Sequence, residues 1–302
     1  MSSPPFSLPF LSLFFFLTFS YIAEAIVPAS NTFKFVNEGE FGPYIVEYNG
    51  AYRTLSVFNS PFQLCFYNTT PNAFTLALRM ATTRSESLFR WVWEANRGNP
   101  VRENATFSFG GDGNLILADA DGRVAWQSGT ANKGVVGFKL LPNGNMVLHD
   151  SKGKFIWQSF DYPTDTLLVG QSLRFGGATK LVSRASAEDN SDGPYSLVME
   201  PKGPVMYFKS KNSPKPYIYF TFSQFFSFKE GSLQQVALNC APDTDEGYAY
   251  DLTLEFQPLT GGDWSVRGWR GSKPHNAPLA AWRLAAPCLL NRMSWYKQYT
   301  LA

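Results

Sequence analysis

Two copies of one short pattern decide how this sequence is interpreted. Asp112-Gly113-Asn114-Leu115-Ile116-Leu117, followed by Val124-Ala125-Trp126-Gln127-Ser128, returns 31 residues later as Asn143-Gly144-Asn145-Met146-Val147-Leu148 and Phe155-Ile156-Trp157-Gln158-Ser159. A fixed offset of this kind marks a repeated structural unit. Trp93, which lies 33 residues before Trp126, marks an earlier and longer copy. Since a single β unit cannot cover its own apolar face, we expect three such units to bury their Trp side chains on a shared axis.

Turn signals separate short β-rich runs throughout this part of the chain. They are Asn49-Gly50, Asp112-Gly113, Asp121-Gly122, Asn143-Gly144 and Lys152-Gly153. Asn-Gly and Asp-Gly pairs suit tight turns because both residues tolerate positive φ. Short strands at this spacing, without a long helical period, predict an all-β sandwich, barrel or prism.

Composition limits the classes of function. The chain has 302 residues, of which 44% are hydrophobic and 16% aromatic, so it can form a substantial core. Its net charge of +2 argues against nucleic acid or an anionic membrane as a partner. The two histidines, His149 and His275, lie far apart in sequence. We therefore predict no metal site, no cofactor and no nucleophile–base pair.

The N-terminus predicts secretion. Residues 8–21 are nearly all apolar, and Ala23-Glu24-Ala25 then supplies a cleavage pattern, so residues 1–25 are interpreted as a signal peptide. This apolar run is shorter than the ~20 residues that a membrane span needs, and no later segment qualifies, so no membrane span is expected. Because a sequon in a secreted protein is an N-glycosylation acceptor, the two sequons at Asn68 and Asn104 are predicted glycosylation sites.

The three cysteines, Cys65, Cys240 and Cys288, allow one disulfide and one remaining thiol in an oxidising compartment. The sequence leaves the pairing open. We choose Cys65–Cys240 because Cys288 lies in an atypical C-terminal segment.

Several motifs resemble one family. Four stretches resemble the bulb-type lectin domains of plant S-locus glycoproteins and their receptor relatives. They are Ala95-Asn96-Arg97-Gly98-Asn99-Pro100, Asp112-Gly113-Asn114-Leu115, the twelve residues from Trp157 to Leu168, and Tyr195-Ser196-Leu197 with Pro201 and Gly203. The run from Phe62 to Asn68 resembles in particular the secreted epidermis-specific glycoproteins of plants. The resemblance implies a β-prism II with three pseudo-repeated antiparallel sheets, followed by a second β-rich module.

The same resemblance sets the expected domain limits. Residues 26–164 correspond to the bulb-type lectin domain, and residues 165–257 correspond to a second β-rich, lectin-like module that looks incomplete. The resemblance stops after residue 257. We interpret residues 258–302 as an atypical tail that is either frame-shifted or disordered, which the coding DNA would test.

The resemblance also points to a sugar site. Mannose-binding members of this fold carry Gln-x-Asp-x-Asn-x-Val-x-Tyr in each repeat, and these side chains bond to sugar hydroxyls or contact the ring. One copy here retains Asp112, Asn114 and the apolar Ile116, with Gly110 and Ala118 replacing Gln and Tyr. The next copy has Asn143, Asn145 and Val147, with Leu141 and His149 at the outer positions. In the early copy, Phe74 falls at the Asn position.

Two interpretations of these residues stay open. They form a degenerate mannose site, or Asp112 and Asn143 shape turns while Asn114 and Asn145 satisfy backbone groups beside them. Asp161 and Asp165 could form the carboxylate pair of a glycosidase, but their turn-rich surroundings favour a structural role. Trp126 and Trp157 could stack on sugars, but their repeat positions favour the core.

We therefore predict a non-enzymatic glycoprotein of the cell wall or apoplast. Its expected partners are mannose-containing glycans, cell-wall polysaccharide or glycoprotein. The alternative is an extracellular interaction protein that uses the β-prism as a scaffold and binds no sugar.

Overall fold

The computed structural model describes residues 26–80, 89–221, 231–244, 247–258, 264–274 and 281–283. The predicted signal peptide, residues 1–25, lies outside them. Strands dominate this part of the chain, and its helical residues lie in 3₁₀ turns at Ala29–Asn31, Glu47–Asn49 and Ser159–Asp161. The predicted all-β class is confirmed.

Among the residues that the structure describes, eleven strands build the first module. They are β1 (Phe33–Val36), β2 (Ala51–Asn59), β3 (Phe62–Thr70), β4 (Ala73–Met80), β5 (Arg90–Glu94), β6 (Thr106–Phe109), β7 (Leu115–Ala118), β8 (Val124–Gln127), β9 (Gly137–Leu140), β10 (Met146–His149) and β11 (Phe155–Gln158). They form three antiparallel sheets, in the orders β2-β3-β4-β5, β1-β6-β7-β8 and β11-β10-β9.

The repeat sets the same register in all three sheets. Leu78 pairs with Trp93, Leu117 with Trp126, and Leu148 with Trp157. Each pair is followed at once by a register shift, before Arg79, Ala118 and His149 respectively. The pairs β4–β5, β7–β8 and β10–β11 are therefore structurally equivalent, and we call them the first, second and third copies. The early copy inferred from Trp93 is thus a structural equivalent of the other two.

The three Trp side chains meet on the axis of the prism. The ring centroids of Trp93 and Trp126 lie 5.8 Å apart, those of Trp126 and Trp157 5.8 Å, and those of Trp93 and Trp157 6.3 Å, each pair edge to face. Edge-to-face packing suits the aromatic quadrupole. Core packing of Trp126 and Trp157, rather than stacking on a ligand, follows from this geometry.

Ten further strands follow in the described part of the second module. They are β12 (Thr166–Leu168), β13 (Ser172–Arg174), β14 (Lys180–Arg184), β15 (Asp192–Glu200), β16 (Gly203–Phe208), β17 (Tyr217–Thr221), β18 (Gly231–Thr244), β19 (Gly247–Pro258), β20 (Trp264–Pro274) and β21 (Ala281–Arg283). Their sheets have the orders β14-β15-β16-β17, β13-β18-β19-β20 and β12-β21. A separate apolar cluster, which includes Leu173, Leu181, Leu197, Val236 and Leu254, fills this module.

Strand β12 packs between the cores of the two modules. Leu168 belongs to the core of the first module, whereas the neighbouring Leu167 belongs to the core of the second. Strands β20 and β21 lie in the segment interpreted as an atypical tail. The origin of that segment and the limits of the two domains stay predictions.

Candidate functional site

The second copy holds its asparagine in a network of hydrogen bonds. Asn114 Oδ1 accepts from Ser128 Oγ at 2.9 Å and from the Thr130 backbone N–H at 3.0 Å, while its Nδ2 donates to Gln127 Oε1 at 3.0 Å. Ser128 Oγ in turn accepts from the Leu115 N–H at 3.0 Å. Asn114 is only 4% exposed. These contacts tie the start of β7 to the end of β8.

The third copy repeats this network, except that the backbone donor to the asparagine oxygen lies one residue after the serine rather than two. Asn145 Nδ2 donates to Gln158 Oε1 at 2.9 Å, and its Oδ1 accepts from Ser159 Oγ at 3.3 Å and from the Phe160 N–H at 3.2 Å. Ser159 Oγ accepts from the Met146 N–H at 2.9 Å. We call this arrangement the Asn–Gln–Ser clamp. It explains why the sequence repeats Asn together with Trp-Gln-Ser.

The residue two places before each clamp asparagine shapes the turn. Asp112 Oδ1 accepts from the Asn114 N–H at 3.1 Å, and Asn143 Oδ1 accepts from the Asn145 N–H at 3.2 Å. The glycine between them adopts positive φ, +81° at Gly113 and +86° at Gly144. A Cβ at Gly144 would lie 2.7 Å from atoms of Leu168 and Phe62, so packing also requires glycine there. These contacts support the structural interpretation of the four polar residues.

The second and third copies differ in how much of the sugar motif reaches solvent. Asp112 is exposed, and Ile116 is partly exposed on β7. Val147, the equivalent of Ile116, is fully buried, and Asn143, the equivalent of Asp112, is half-buried. Gly170 also packs beside Asn143, whose Nδ2 would lie 3.6 Å from a Cβ at that glycine. The structure therefore leaves the motif open in the second copy and covers it in the third.

The first copy departs from the motif altogether. Because Leu78 aligns with Leu117, the Asn position is Thr75 rather than Phe74, and the earlier alignment is wrong by one residue. Phe74 points instead into the core of the first module. The opposite face of this sheet is covered by a second apolar cluster that includes Tyr52, Tyr67 and Trp91. No open sugar motif remains among the described residues of this copy.

Glu94 stands where the other copies carry Gln127 and Gln158, and it is the centre of a buried charge network. Arg184 Nη1 lies 2.9 Å from Glu94 Oε1, and Arg97 Nε lies 3.1 Å from Glu94 Oε2. The Tyr67 hydroxyl also donates to Oε1. Burial and the neighbouring Glu94 carboxylate raise the pKa of Tyr67 well above its usual value. Sequence reasoning missed this network, and a glutamate replacing the repeated Gln was its only signal.

The network joins the two modules. Asn190 Nδ2 donates to Thr75 Oγ1 at 2.9 Å, and Arg97 donates to the carbonyls of Val182 and Asn190 at 2.9 and 2.8 Å. The stretch 182–192 thus lies over the position that would form a sugar site in the first copy.

The aspartates of the possible carboxylate pair, and His149, contact neighbouring groups of the protein. Asp161 accepts from Gln158 Nε2 at 3.1 Å and from Arg174 Nη2 at 2.9 Å, and the buried Asp165 accepts from Thr166 Oγ1 at 2.8 Å. His149 Nδ1 lies 3.0 Å from the carbonyl oxygen of Asp150. Within the described ranges, no group of three or more His, Cys, Asp and Glu side chains is placed to hold a metal ion.

The predicted glycosylation sites occupy different surroundings. Asn104 is exposed in a turn with φ of +62°. Asn68 is half-buried near the end of β3, on the wall of a pocket of about 580 Å³. Glycosylation at either residue stays a prediction.

The Cys65–Cys240 disulfide is not formed in this structure. Cys65 is a free thiol, completely buried in the middle of β3 between its partners Thr54 and Ala77. Burial raises its pKa to about 12, with a small opposing effect from Arg79. The side chain of Cys240 lies outside the described residues. The sequence could suggest an oxidising compartment, but it could not show that Cys65 would be enclosed by the β2–β5 sheet.

Comparison with known proteins agrees with the repeat geometry. Residues 90–188 match the family model described as D-mannose binding lectin. The epidermis-specific secreted glycoprotein EP1 of Daucus carota is 63% identical over 252 residues, which cover 83% of this chain and 65% of that protein. The EP1-like glycoprotein 4 of Arabidopsis thaliana is 53% identical over 276 residues, which cover 91% of this chain and 61% of the relative.

A more distant relative matches a shorter stretch of the chain. The receptor-like serine/threonine-protein kinase SD1-7 of Arabidopsis thaliana is 38% identical over 132 residues, or 41% of this chain and 16% of the kinase. The chain thus spans less than two thirds of the length of these curated relatives. The predicted bulb-type lectin resemblance and the extracellular location are confirmed. No helix in the part of the chain that the structure describes is long and apolar enough to cross a membrane.

Proposed function

We propose that this chain is a non-enzymatic glycoprotein of the plant cell wall or apoplast that binds mannose-type glycans weakly through its second copy. The match of residues 90–188 to the D-mannose binding lectin family and the similarity to the EP1 secreted glycoproteins of plants support this proposal. One observation carries this proposal. Asp112 is exposed and its counterpart Asn143 is half-buried, and Ile116 is partly exposed whereas its counterpart Val147 is buried.

The open copy offers a small set of contacts. The Asp112 carboxylate can accept from sugar hydroxyls, Ile116 supplies an apolar contact, and the exposed Gln127 supplies an amide beside them. Gly110 and Ala118 replace the Gln and Tyr of the mannose motif. Each missing hydrogen bond weakens binding by about 1 kcal/mol, so two losses reduce the affinity by roughly ten- to a hundredfold.

A glycan array probed with the secreted chain tests the proposal, followed by titration with oligomannose. We expect weak binding to mannose-type glycans that is lost in Asp112→Ala. Asn143→Ala is the matched control, because Asn143 shapes the equivalent turn in the covered copy. Absence of binding by the unmodified chain, or equal loss in both variants, would falsify the lectin function.

A second candidate function has an observation of its own. Both clamp asparagines use their side-chain oxygen for internal contacts, and the first and third copies are covered. This arrangement suits an extracellular scaffold for protein partners, because the amino acids at the sugar-motif positions then stabilise the fold and bind no ligand. Absence of binding on the glycan array by a protein that folds cooperatively supports the scaffold function. Incubation with a panel of wall polysaccharides tests the absence of enzyme activity, and we expect no released product.

A further inference from the structure

We propose that an N-linked glycan attached to Asn68 packs into the pocket beside this residue, and that the first sugars of that glycan stabilise the prism. This inference rests on the glycosylation predicted at Asn68 and is independent of sugar binding at Asp112. The two proposals therefore fail separately.

Asn68 lies half-buried on the wall of a shallow pocket that opens to solvent. The pocket holds about 580 Å³, within the roughly 300–1,000 Å³ typical of small-ligand sites. Its lining includes three residues of the sequon, Asn68, Thr69 and Thr70. Among the residues that the structure describes, the Asn68 amide donates no hydrogen bond, although it is half-buried. A sugar attached to its Nδ2 would therefore displace no internal contact.

The pattern of β3 explains why this sequon points into the pocket. Leu64 and Phe66 face the core of the first module, whereas Cys65 and Tyr67 face the opposite side. Side chains on a strand alternate between faces, so Asn68 continues the line of Leu64 and Phe66. Asn68 also pairs across the hairpin with Phe74, another core residue. The core-facing row thus ends in an asparagine where the prism opens to solvent.

The walls of the pocket match the chemistry of a sugar. Phe41 lies on one wall and remains 47% exposed, which is unusual for a ring packed against a core residue, here Phe74 with centroids 6.3 Å apart. A sugar presents a face of C–H groups that an aromatic ring can cover. Asn49, Thr70 and Asn72 contribute amide and hydroxyl groups around the rim, where they can meet the hydroxyl and acetamido groups of the ring.

The pocket is also held rigidly. The Arg53 guanidinium carbon lies 4.3 Å from the centroid of Phe41 and 5.2 Å from that of Phe74, and Arg53 is paired with Glu103 at 2.7 Å. The Glu103 N–H donates to Asn72 Oδ1 at 2.8 Å, which fixes the β3–β4 turn. A preformed wall costs little conformational entropy when the glycan packs against it.

Asn104 provides an internal comparison within the same molecule. It is exposed in a turn, so a glycan at this site extends into solvent. The inference therefore predicts two classes of glycan on one chain, one packed and one free.

The experiment uses the full secreted chain from cells that attach oligomannose glycans, with site occupancy measured by glycopeptide mass spectrometry. On the native protein, we expect a peptide N-glycanase to release the Asn68 glycan at least ~10-fold more slowly than the Asn104 glycan, which corresponds to about 1.4 kcal/mol of protection. Unfolding the protein should abolish this difference. An unmodified Asn68, or equal rates at both sites, overturns the proposal.

Two further measurements separate packing from simple steric shielding. An endoglycosidase that leaves one sugar on each asparagine should preserve the melting temperature, whereas the Thr70→Ala variant, which lacks the Asn68 glycan, should melt several degrees lower. Asn104→Asp is the matched loss of the free glycan and should leave the melting temperature unchanged. Phe41→Ala should bring the release rate at Asn68 to that at Asn104, whereas Phe155→Ala, another exposed phenylalanine, should not. An unchanged ratio of rates in Phe41→Ala contradicts the role of the aromatic wall.

Discussion

Arg184, at the end of β14, donates its Nη1 to Glu94 Oε1 at 2.9 Å, and both side chains are almost completely enclosed. The pair joins the second module to the first copy of the repeat. The Arg184 guanidinium carbon also lies 4.0 Å from the centroid of Tyr48, so one cation both neutralises Glu94 and packs on an aromatic ring of the first module. The position that carries the clamp glutamine elsewhere in the prism has become a contact between modules.

Arg184→Ala is expected to reduce the free energy of unfolding by about 3–5 kcal/mol, because it leaves Glu94 with a buried charge and fewer donors. Urea denaturation followed by circular dichroism measures the effect. Arg174→Ala is the matched control, since Arg174 forms an exposed pair with Asp161 at 2.9 Å and should contribute about 0–1 kcal/mol. Equal losses in the two variants would contradict a role for the buried pair.

The architecture of the first module could be predicted because its repeat is local. The Gly of each turn and the Trp of each closing strand recur at fixed spacing, and identical local patterns produce identical hairpins. The register of Leu117 on Trp126 and of Leu148 on Trp157 follows from that pattern. The early copy was misaligned at Phe74 because its turn has no Asn-Gly or Asp-Gly pair to mark it.

Whether each copy of the candidate sugar site is open to solvent depends on contacts between residues that are distant in sequence. Nothing local to Val147 indicates that it is buried, and Gly170, which packs beside Asn143, lies beyond strands β10, β11 and β12. Glu94 meets Arg184 across 90 residues of sequence. Burial of this kind is decided by tertiary packing, which periodicity and motifs do not encode.

Trp157→Ala is expected to destabilise the protein by about 3–5 kcal/mol, because Trp157 is 6% exposed and contacts both other axial tryptophans. Thermal unfolding followed by near-ultraviolet circular dichroism reports both the stability and the loss of the aromatic cluster. Phe155→Ala, two residues earlier on an exposed part of β11, should change stability by less than about 0.5 kcal/mol. A tolerated Trp157→Ala would mean that the prism axis is not the main core of this module.

The equivalence of the two clamps predicts equal effects of their asparagines. Asn114→Ala removes the acceptor of the Thr130 N–H, and Asn145→Ala removes that of the Phe160 N–H, so each variant leaves a buried donor unpaired. We expect each to cost about 2–3 kcal/mol. Chemical denaturation compares them with Asn212→Ala, a substitution at an exposed asparagine. A large effect at one clamp alone would show that the two clamps share a sequence pattern but contribute differently to the free energy of unfolding.

The buried thiol of Cys65 predicts a loss of stability at alkaline pH. Its pKa is about 12 in the folded chain, against 9.0 for a free thiol, so the folded state retains the proton where the unfolded state loses it. The contribution of Cys65 is complete below about pH 9 and decreases as the pH rises from there towards 12. The raised pKa of Tyr67 acts in the same direction.

Denaturant unfolding at pH 8 and at pH 10.5 measures this dependence, and Cys65→Ala isolates the contribution of the thiol. Cys65→Ala should be less stable than the parent at pH 8 because it leaves a small cavity, but its stability should fall less between the two pH values. Tyrosines and lysines titrate in both proteins and cancel in the comparison. Alkylation at pH 8, followed at the Cys65 peptide by mass spectrometry, should label Cys65 only after unfolding, because the buried thiol forms little thiolate. Rapid labelling in the native state, or an unchanged pH slope in Cys65→Ala, would show that Cys65 is accessible or bonded to another cysteine.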